Sequence, residues 1–492
     1  MGRAVIETLD LAEWHQRPGH EPPRRRQRLQ LRDGHLEHHG PMPAEAPAPQ
    51  ALALPALANA HDHGRGLRTL AFGAEDQALE TWMAQLAFEP LVDPYLRAAV
   101  AFARMAESGI AAVNHCHNTQ DGRALLREAE AVARAARDVG VHVAFAVPFM
   151  HRNAVVLGPL EPLLAHLPVA DHDRLRQQRH GTRTPAENFA LVERIAAFEH
   201  DHFHVQYGPV APQWVDDDTL ERIARASAET GRRVHMHLYE TAAQRAWCEA
   251  HSTGGLLRHL DALGLLSPRL TVAHAVWLDA ADCALLATRG VTVSANVSSN
   301  LRLRSGQPPW PHYLDNNVRF GLGLDGMSLD DDDDMLRELR LGWHQAKTAA
   351  PAQTLGLAHW FDAACVTGRA TITDTPASQD VLVLDTRRIA HDRVQPDHPS
   401  LLTLALSRAT RADVRHLLVN GRTVVRDGHC VTVDRPALEA ALLAEARAAW
   451  RDHPPDTAAI GRLHHALCCH HTPASVGAAS AAIRATPRAH RG

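Results

Sequence analysis

Apolar, strand-like runs alternate with Ala-rich stretches of helical periodicity over residues 59–372. The clearest predicted strands are residues 109–113, 141–147 and 234–238, each preceded by a predicted helix, at 93–107, 121–138 and 218–230 respectively. Repeated alternation of strand and helix is typical of a parallel sheet, and about eight repeats predict an α/β fold built as a (β/α)8 TIM barrel.

The pattern differs on both sides of this region. Residues 1–58 are polar, Pro-rich and poorly periodic, with one predicted hairpin at 26–37 that turns at Asp33-Gly34. Short predicted strands follow the barrel, at residues 380–385, 414–421 and 423–428. We expect these segments to form a small composite β-sandwich, so that residues 1–58 and 373–451 share one domain. A helix is predicted at 435–451, and residues 452–492 are predicted to be a poorly ordered tail.

Composition narrows the function classes. The 492 residues include 45% hydrophobic ones, enough for a large core, and the net charge of −5 gives no electrostatic case for a nucleic-acid partner. No run of about 20 apolar residues predicts a membrane span or signal peptide. Seven scattered cysteines argue against a disulfide framework. We therefore expect a soluble protein in the cytoplasm.

The pair His61-Asp62-His63 follows the apolar run 52–60 and is the most informative motif. Side chains alternate along a strand, so His61 and His63 point to the same side and can bind one metal ion together. The spacing alone is weak evidence, because the chain has 35 histidines. Three later segments supply further ligand types, each at the end of a strand-like run.

These segments contain His235 and His237, then His274, and then Asp325. The carboxyl ends of barrel strands meet on one face, where ligands that are distant in sequence come together. A catalytic zinc ion needs three or four protein ligands and an open position for water. These ligands could be His61, His63, one histidine of the pair 235/237, and Asp325.

Hydrolysis at such a metal site also needs a side chain that acts as general acid and base. Metal binding lowers the pKa of a bound water from 15.7 toward about 7. Glu240, three residues beyond His237, is placed to carry a proton from water to the leaving group. His274 and Asp325 are predicted to assist by orienting the water and stabilising charge.

Five motifs in this order resemble the amidohydrolase superfamily. They are His61-Asp-His63, His237-Leu-Tyr-Glu240, Thr271-Val-Ala-His274, the segment Ser294–Leu303, and Leu322-Gly-Leu-Asp325. The resemblance is closest to the cytosine/guanine deaminase and chlorohydrolase branch, which acts on nitrogen heterocycles. It implies that His237, rather than His235, is the ligand.

The resemblance implies one divalent metal ion, Zn2+ first and Fe2+ as an alternative. Relatives with two metals use a carboxylated lysine, and Lys347, the single lysine, lies beyond Asp325 in a helical stretch. The implied activity is hydrolytic deamination of a small heterocycle such as a purine, pyrimidine, pterin or triazine. Hydrolysis of a C–halogen bond or a ring C–N bond is the alternative, and a metal-binding protein without turnover is a third. The family also suggests a homo-oligomer.

Predicted substrate contacts are Glu89, Arg65, Gln206 and Asn300. Glu89 lies where some members of the branch place a carboxylate on the substrate. Arg65 follows the first metal pair, and Gln206 stands near a position, Val210, where relatives carry a histidine. Asn300 belongs to the Ser294–Leu303 motif.

Other candidate groups have simpler interpretations. The run Asp330–Asp334 precedes a helix, where carboxylates cap the backbone N–H groups. His115 and His117 repeat the His-x-His spacing and are predicted to face substrate or to be structural. His235 is predicted to pack inside the barrel. Metal binding by the segment Cys468–His471 would be adventitious.

Overall fold

A computed structural model describes residues 6–152, 155–177, 183–326, 331–351, 356–375, 377–395 and 398–471. The strands are β1 Ile6–Trp14, β2 Arg24–Arg32, β3 His35–Pro41, β4 Ala51–Pro55, β5 Leu57–Asp62, β6 Ile110–Cys116, β7 His142–Phe149, β8 Phe203–Pro209, β9 Val234–Leu238, β10 Leu270–His274, β11 Thr292–Ala295, β12 Arg319–Leu322, β13 Val381–Asp385, β14 Val414–Val419, β15 Arg422–Arg426 and β16 His429–Cys430.

The helices are α1 Leu79–Trp82, α2 Pro94–Glu107, α3 Leu125–Val139, α4 Glu161–Leu164, α5 Val169–Gln177, α6 Pro185–Ala196, α7 Asp217–Thr230, α8 Ala242–His251, α9 Leu256–Ala262, α10 Ala280–Thr288, α11 Val297–Arg302, α12 Trp310–Asp315, α13 Met335–Ala349, α14 Leu357–Asp362, α15 Gly368–Ala370, α16 Arg387–Ala390, α17 Leu401–Arg408, α18 Arg435–Asp452 and α19 Thr457–His470. Short 3-10 turns lie at Thr69–Phe72, Met83–Phe88, Gly122–Ala124, Pro212–Trp214, Ala377–Gln379 and Arg411–Asp413, and a π turn at Ala363–Thr367.

Strands β5 to β12 form a parallel sheet in sequential order, and the sheet curves into a nearly closed barrel. Hydrogen bonds connect β5, the first strand, with the residues that follow β12, the last strand. The Asn59 side chain accepts a hydrogen bond from Leu324 N (2.9 Å), and His61 O accepts one from Asp325 N (2.9 Å). The barrel prediction is therefore confirmed at the level of a TIM-barrel-like fold.

Helix α3 illustrates why these sequences form the outer layer. Its buried residues include Leu125, Ala129, Val132 and Ala136, which share one face of a helix with 3.6 residues per turn. The helix ends at Gly140, whose φ of 88° is a left-handed conformation that glycine adopts without steric cost. The next strand, β7, then enters the barrel almost wholly buried.

The N-terminal and C-terminal segments share a second sheet, in the order β14-β13-β4-β1-β2-β3-β15-β16. The predicted hairpin is present as β2 and β3, and it turns at Asp33 and Gly34, both with positive φ. We expected a β-sandwich from these segments. The described strands instead form one barrel-like sheet, because β14 also pairs with β15 and joins the two ends. The domain boundaries given above remain predictions.

The predicted tail is wrong for residues 457–470, which form helix α19. Its apolar residues Leu463, Ala466 and Leu467 are buried against α4 and the 3-10 turn at Met83–Phe88. Burial of this face stabilises a helix whose sequence alone looks like biased composition. Residues 472–492 of the predicted tail lie outside the described residues. Within the described part of the chain, no helix is both long and apolar enough to cross a membrane.

Candidate metal centre

The predicted metal-binding side chains lie at the carboxyl ends of the barrel strands. His61 is the last residue but one of β5, His237 is the last but one of β9, His274 ends β10, and Asp325 follows β12. Asp325, His274 and Tyr239 have φ values of 58°, 68° and 46°, in the left-handed region that non-glycine residues rarely adopt. Strained backbone of this kind collects at functional sites.

Asp325 is the point where the imidazoles converge. Its Oδ1 lies 2.9 Å from His61 Nε2 and 3.0 Å from His63 Nε2, and its Oδ2 lies 3.8 Å from His274 Nε2. Burial opposes ionisation of Asp325, but His61, His63 and His274 together hold its pKa well below the usual value. The carboxylate is therefore charged and faces several ring nitrogens.

The ring nitrogens on the other side of each imidazole have partners of their own. His63 Nδ1 donates to Cys116 O (2.8 Å), and His237 Nδ1 donates to Val210 O (2.7 Å). In a neutral ring such a bond places the proton on Nδ1, so that Nε2 can offer its lone pair to the centre. A metal-binding histidine is oriented by such an outer hydrogen bond in most proteins.

The donor set fits a divalent metal ion. Ligand atoms of His61, His237, His274 and Asp325 all lie within 4.8 Å of one another, and His63 Nε2 joins them through its contact with Asp325. His61 Nε2 is buried and, among the described residues, makes no hydrogen bond of acceptable geometry. Burial lowers the pKa of His61 well below 6.5 and that of His237 to about 3, so both imidazoles are neutral. Neutral imidazoles with one carboxylate are the ligands that zinc and iron use.

Glu240 lies beside this centre. Its Oε2 is 3.6 Å from His274 Nε2, and its backbone N–H donates to Gln244 Oε1 (2.9 Å). Burial raises the pKa of Glu240 to about 7, although His274 acts in the opposite direction. A carboxyl group with a pKa near neutrality can both accept and release a proton during one reaction cycle.

Two further side chains fix the centre, and both come from the predicted Ser294–Leu303 motif. Ser299 Oγ donates to Asp325 Oδ2 (2.6 Å), and Asn300 Oδ1 accepts from His274 Nδ1 (2.9 Å). Asn300, predicted as a substrate contact, is thus placed against His274. The role of Ser299 was missed, although its position in the quoted motif was a usable signal.

Arg65 and Glu89 lie together in a buried ion cluster. Arg97 donates to Glu89 through Nε (3.0 Å), and Arg65 Nε lies 4.0 Å from the same carboxylate. The Arg65 guanidinium also lies over the ring of Trp82, 5.7 Å from its centroid. The Glu89 carboxylate is therefore shared between two guanidinium groups.

Gln206 lies within β8, away from the strand ends. Its amide donates to Asn114 Oδ1 on β6 (2.5 Å) and to Ala144 O on the neighbouring strand β7 (3.4 Å). A substrate contact by Gln206 stays a prediction, and among the described residues its hydrogen bonds do not join it to the metal-binding cluster.

The remaining candidate groups have structural partners. His117 Nε2 lies 2.8 Å from Glu128 Oε2, and His115 Nε2 lies 3.0 Å from His117 Nδ1. The Asp334 side chain caps α13 by accepting from Leu336 N, as predicted for the acidic run; Asp330 lies outside the described residues.

Two other histidines, His235 in the barrel and His464 in α19, lie in different surroundings. His235 is fully buried inside the barrel, as predicted, but it also contacts His61, which the sequence interpretation missed. Its spacing of two from His237 along β9 was the available signal. At the C-terminus, Cys468 Sγ lies 4.0 Å from His464 Nε2. Among the described residues, these two belong to no group of three or more potential metal ligands.

The chain is similar in sequence to known deaminases. The chain is 28% identical over 407 residues to a 5'-deoxyadenosine deaminase of Methanoregula boonei, covering 80% of this chain and 83% of that protein. It is 27% identical over 409 residues to a 5-methylthioadenosine/S-adenosylhomocysteine deaminase of Pyrococcus horikoshii, covering 79% and 86%.

Two solved structures share the fold. An adenosine deaminase from Xanthomonas campestris with bound zinc has a TM-score of 0.72 and 24% identity over 91% of this chain and 98% of its own. An atrazine chlorohydrolase from Arthrobacter aurescens, complexed with zinc and atraton, has a TM-score of 0.68 and 18% identity over 89% and 99%. Residues 52–371 match the sequence profile of the amidohydrolase family, so the chain belongs to the amidohydrolase family.

Proposed function

We propose that this hydrolase removes ammonia from an amino-substituted nitrogen heterocycle, and that an adenosine derivative is the first substrate to test. The observation that carries the proposal is the convergence of imidazoles on Asp325 beside a carboxyl group, Glu240, whose pKa is raised by burial to about 7. The names of the relatives, which are deaminases of adenosine derivatives, support the substrate class.

We assign the ligand role to His61, His63, His237 and Asp325, with Zn2+ as the first candidate and Fe2+ as the alternative. A divalent cation held by these residues would lower the pKa of water at the site and so supply the nucleophile near neutral pH. Bound zinc in two proteins of the same fold supports the choice of metal. The buried His61 Nε2 supports the choice of residues, because it faces Asp325 without a hydrogen bond of acceptable geometry among the described residues.

Glu240 moves the proton in this proposal. Its Oε2 accepts a proton from the attacking water as the water oxygen bonds to the carbon that carries the amino group, and it delivers this proton to the adjacent ring nitrogen. The second proton of the added water then passes to the amino group, the C–N bond breaks, and ammonia leaves with a carbonyl group remaining on the ring. His274 Nε2, 3.6 Å from Glu240 Oε2, faces the same reacting centre. Asn300 holds the His274 ring through Nδ1, so that Nε2 keeps its direction. Burial excludes bulk water from all three side chains.

Substrate contacts are a further part of the proposal. Arg65 and Glu89 form the buried ion cluster next to the first metal-binding pair, and Glu89 can accept from substrate N–H or O–H groups. Gln206 is kept only as a prediction because its amide is hydrogen-bonded to Asn114.

Deamination is tested with Glu240→Gln in metal-replete protein. Ammonia release is measured on adenosine, 5'-deoxyadenosine, guanine, cytosine, a pterin and a triazine, with halide release from a chlorotriazine as a parallel measurement. Loss of general acid–base catalysis lowers kcat by about 10²–10⁴-fold. Glu249→Gln is the matched control, because Glu249 is a half-exposed partner of Arg245 outside the centre.

Near-normal turnover by Glu240→Gln with metal bound would contradict the proton-transfer role. Release of halide without ammonia would replace deamination by the chlorohydrolase alternative. No product from any heterocycle would favour a protein without turnover.

We also propose a cytoplasmic location and a homo-oligomer. The seven cysteines are free, and Cys116, Cys248, Cys283 and Cys365 are buried, which supports a reducing compartment. Family resemblance alone supports the oligomer, and light scattering on purified protein tests it.

A further inference from the structure

We propose that His235 is a positioning residue of the metal centre, which accepts a hydrogen bond from His61 and so directs His61 Nε2 toward the cation. The inference rests on the metal-binding part of the proposed function and not on the identity of the substrate. It concerns a side chain that is neither a proposed ligand nor a proposed catalytic residue.

The contact itself is short and fully buried. His61 Nδ1 lies 2.7 Å from His235 Nε2, and both side chains are 0% exposed. The ring planes are inclined to each other by only 22°, with their centroids 4.9 Å apart, as in an edge-to-edge contact between ring nitrogens. No water competes for a bond in such a position, so the pair holds both rings in place.

The direction of the bond follows from chemistry. In His63 and His237 the outer nitrogen faces a carbonyl oxygen, which can only accept, so Nδ1 of each ring carries the proton. An imidazole partner can donate or accept. His61 can bind a cation through Nε2 only if that atom carries no proton, and its Nδ1 then donates to His235 Nε2.

His235 is left with its proton on Nδ1, an atom that is buried and has no hydrogen-bond partner among the described residues. A buried N–H group without a hydrogen-bond partner destabilises the fold. That His235 is nevertheless placed next to His61 indicates that it has a role which compensates for this cost. The cost is offset when His61 is held with its lone pair toward the cation.

A second metal ion is the competing explanation. His61, Cys116 and His235 offer ligand atoms that all lie within 4.8 Å of one another. However, two nitrogen ligands of a tetrahedral zinc ion lie about 3.3 Å apart at ordinary Zn–N distances. The separation of 2.7 Å between His61 Nδ1 and His235 Nε2 is that of a hydrogen bond instead.

The test is the affinity for zinc. Zinc is added to metal-free protein in competition with a chromophoric zinc chelator, and no substrate is present. Three variants are compared: His235→Gln, His235→Asn and His235→Phe. The glutamine oxygen reaches the position of Nε2 and can accept, the asparagine side chain is too short, and phenylalanine keeps the ring without an acceptor. His142→Phe, a buried histidine of β7, is the matched control for the loss of a buried ring nitrogen.

We expect His235→Asn and His235→Phe to lose about 10–100-fold in zinc affinity, which is the usual effect of removing an outer hydrogen bond to a ligand. His235→Gln and the control should stay near the wild-type affinity. If His235→Phe does not fold, the comparison of Gln with Asn decides.

Equal zinc affinity in all three variants would overturn the inference. Two zinc ions per wild-type chain, with one lost in His235→Phe, would overturn it in favour of a second metal site. The expected order of affinities in a protein that deaminates no heterocycle would sustain the inference while the proposed activity fails.

Discussion

The pair His61/His63 at the end of β5 and the pair His115/His117 at the end of β6 have the same spacing on neighbouring strands. In the first pair, both Nε2 atoms turn toward Asp325 Oδ1, at 2.9 and 3.0 Å. In the second pair, His115 Nε2 lies 3.0 Å from His117 Nδ1, and His117 continues to Glu128. The Nε2 atoms of His61 and His63 therefore face one common point, whereas His115 and His117 are hydrogen-bonded to each other.

The difference comes from what surrounds each ring. His63 Nδ1 is occupied by a backbone carbonyl, so its Nε2 is available to the centre. The rings of the second pair contact Phe145, at centroid distances of 5.6 Å for His115 and 4.8 Å for His117, and the two rings are hydrogen-bonded directly to each other. Spacing therefore decides which side of a strand two histidines occupy, and their hydrogen-bond partners decide whether they can bind a metal ion.

The largest expected effect comes from removing one member of the first pair. His61→Ala should lower zinc affinity by more than about 100-fold, beyond the effect of losing an outer hydrogen bond, because a ligand itself is lost. Turnover should fall with metal content. Metal analysis of purified protein and ammonia release measure the two quantities.

His117→Ala is the matched change in the second pair. It should leave zinc content unchanged, since His117 faces Glu128 rather than Asp325. If His117→Ala lost zinc as severely as His61→Ala, the distinction between the two pairs would be wrong.

Metal removal should give an intermediate effect. A ligand that binds only the folded state stabilises it by about 4 kcal/mol at 1,000 times its Kd. A chelator should therefore lower the melting temperature of wild type and of His117→Ala by similar amounts. His61→Ala should show a much smaller shift, and an equal shift in all three proteins would mean that the cation binds elsewhere.

The sequence was sufficient for the barrel and for the positions of His61, His237, His274 and Asp325. Strand and helix periodicities are local, and parallel strands place their carboxyl ends together whatever lies between them. The order of the barrel strands follows their order in the chain, so no long-range pairing had to be deduced.

Features that depend on distant partners could not be read in the same way. Helix α19 is stabilised by α4 and the turn at Met83–Phe88, several hundred residues earlier, while its own sequence looks like Ala- and His-rich bias. The pairing of β14 with β15 turned an expected sandwich into a barrel-like sheet. His235 was assigned to packing because nothing in a local pattern shows that His61 lies 2.7 Å away.

The smallest expected effect concerns the second pair alone. Burial opposes ionisation of Glu128, but the hydrogen bonds from His117 and from Asp121 N lower its pKa to about 2, from an ordinary 4.5. A carboxyl group with a lowered pKa stabilises the fold above its ordinary pKa, and this contribution is lost as the pH falls toward the folded value. Glu128→Gln should therefore cost about 2 kcal/mol at pH 7, the usual worth of a hydrogen bond to a charged group.

The stability difference between wild type and Glu128→Gln is measured by denaturant unfolding of metal-free protein at several pH values. It should stay constant from pH 7 to about 5 and shrink as the pH falls below 4.5. In that range the carboxylate of wild type takes up a proton when the chain unfolds, which favours unfolding, whereas glutamine takes up none. Zinc affinity at pH 7 should not change, since Glu128 touches none of the proposed ligands. A difference that grows toward acid pH would mean that the fold raises the pKa of Glu128 instead of lowering it. A loss of zinc would show that Glu128 serves the metal centre and that the two histidine pairs are not independent.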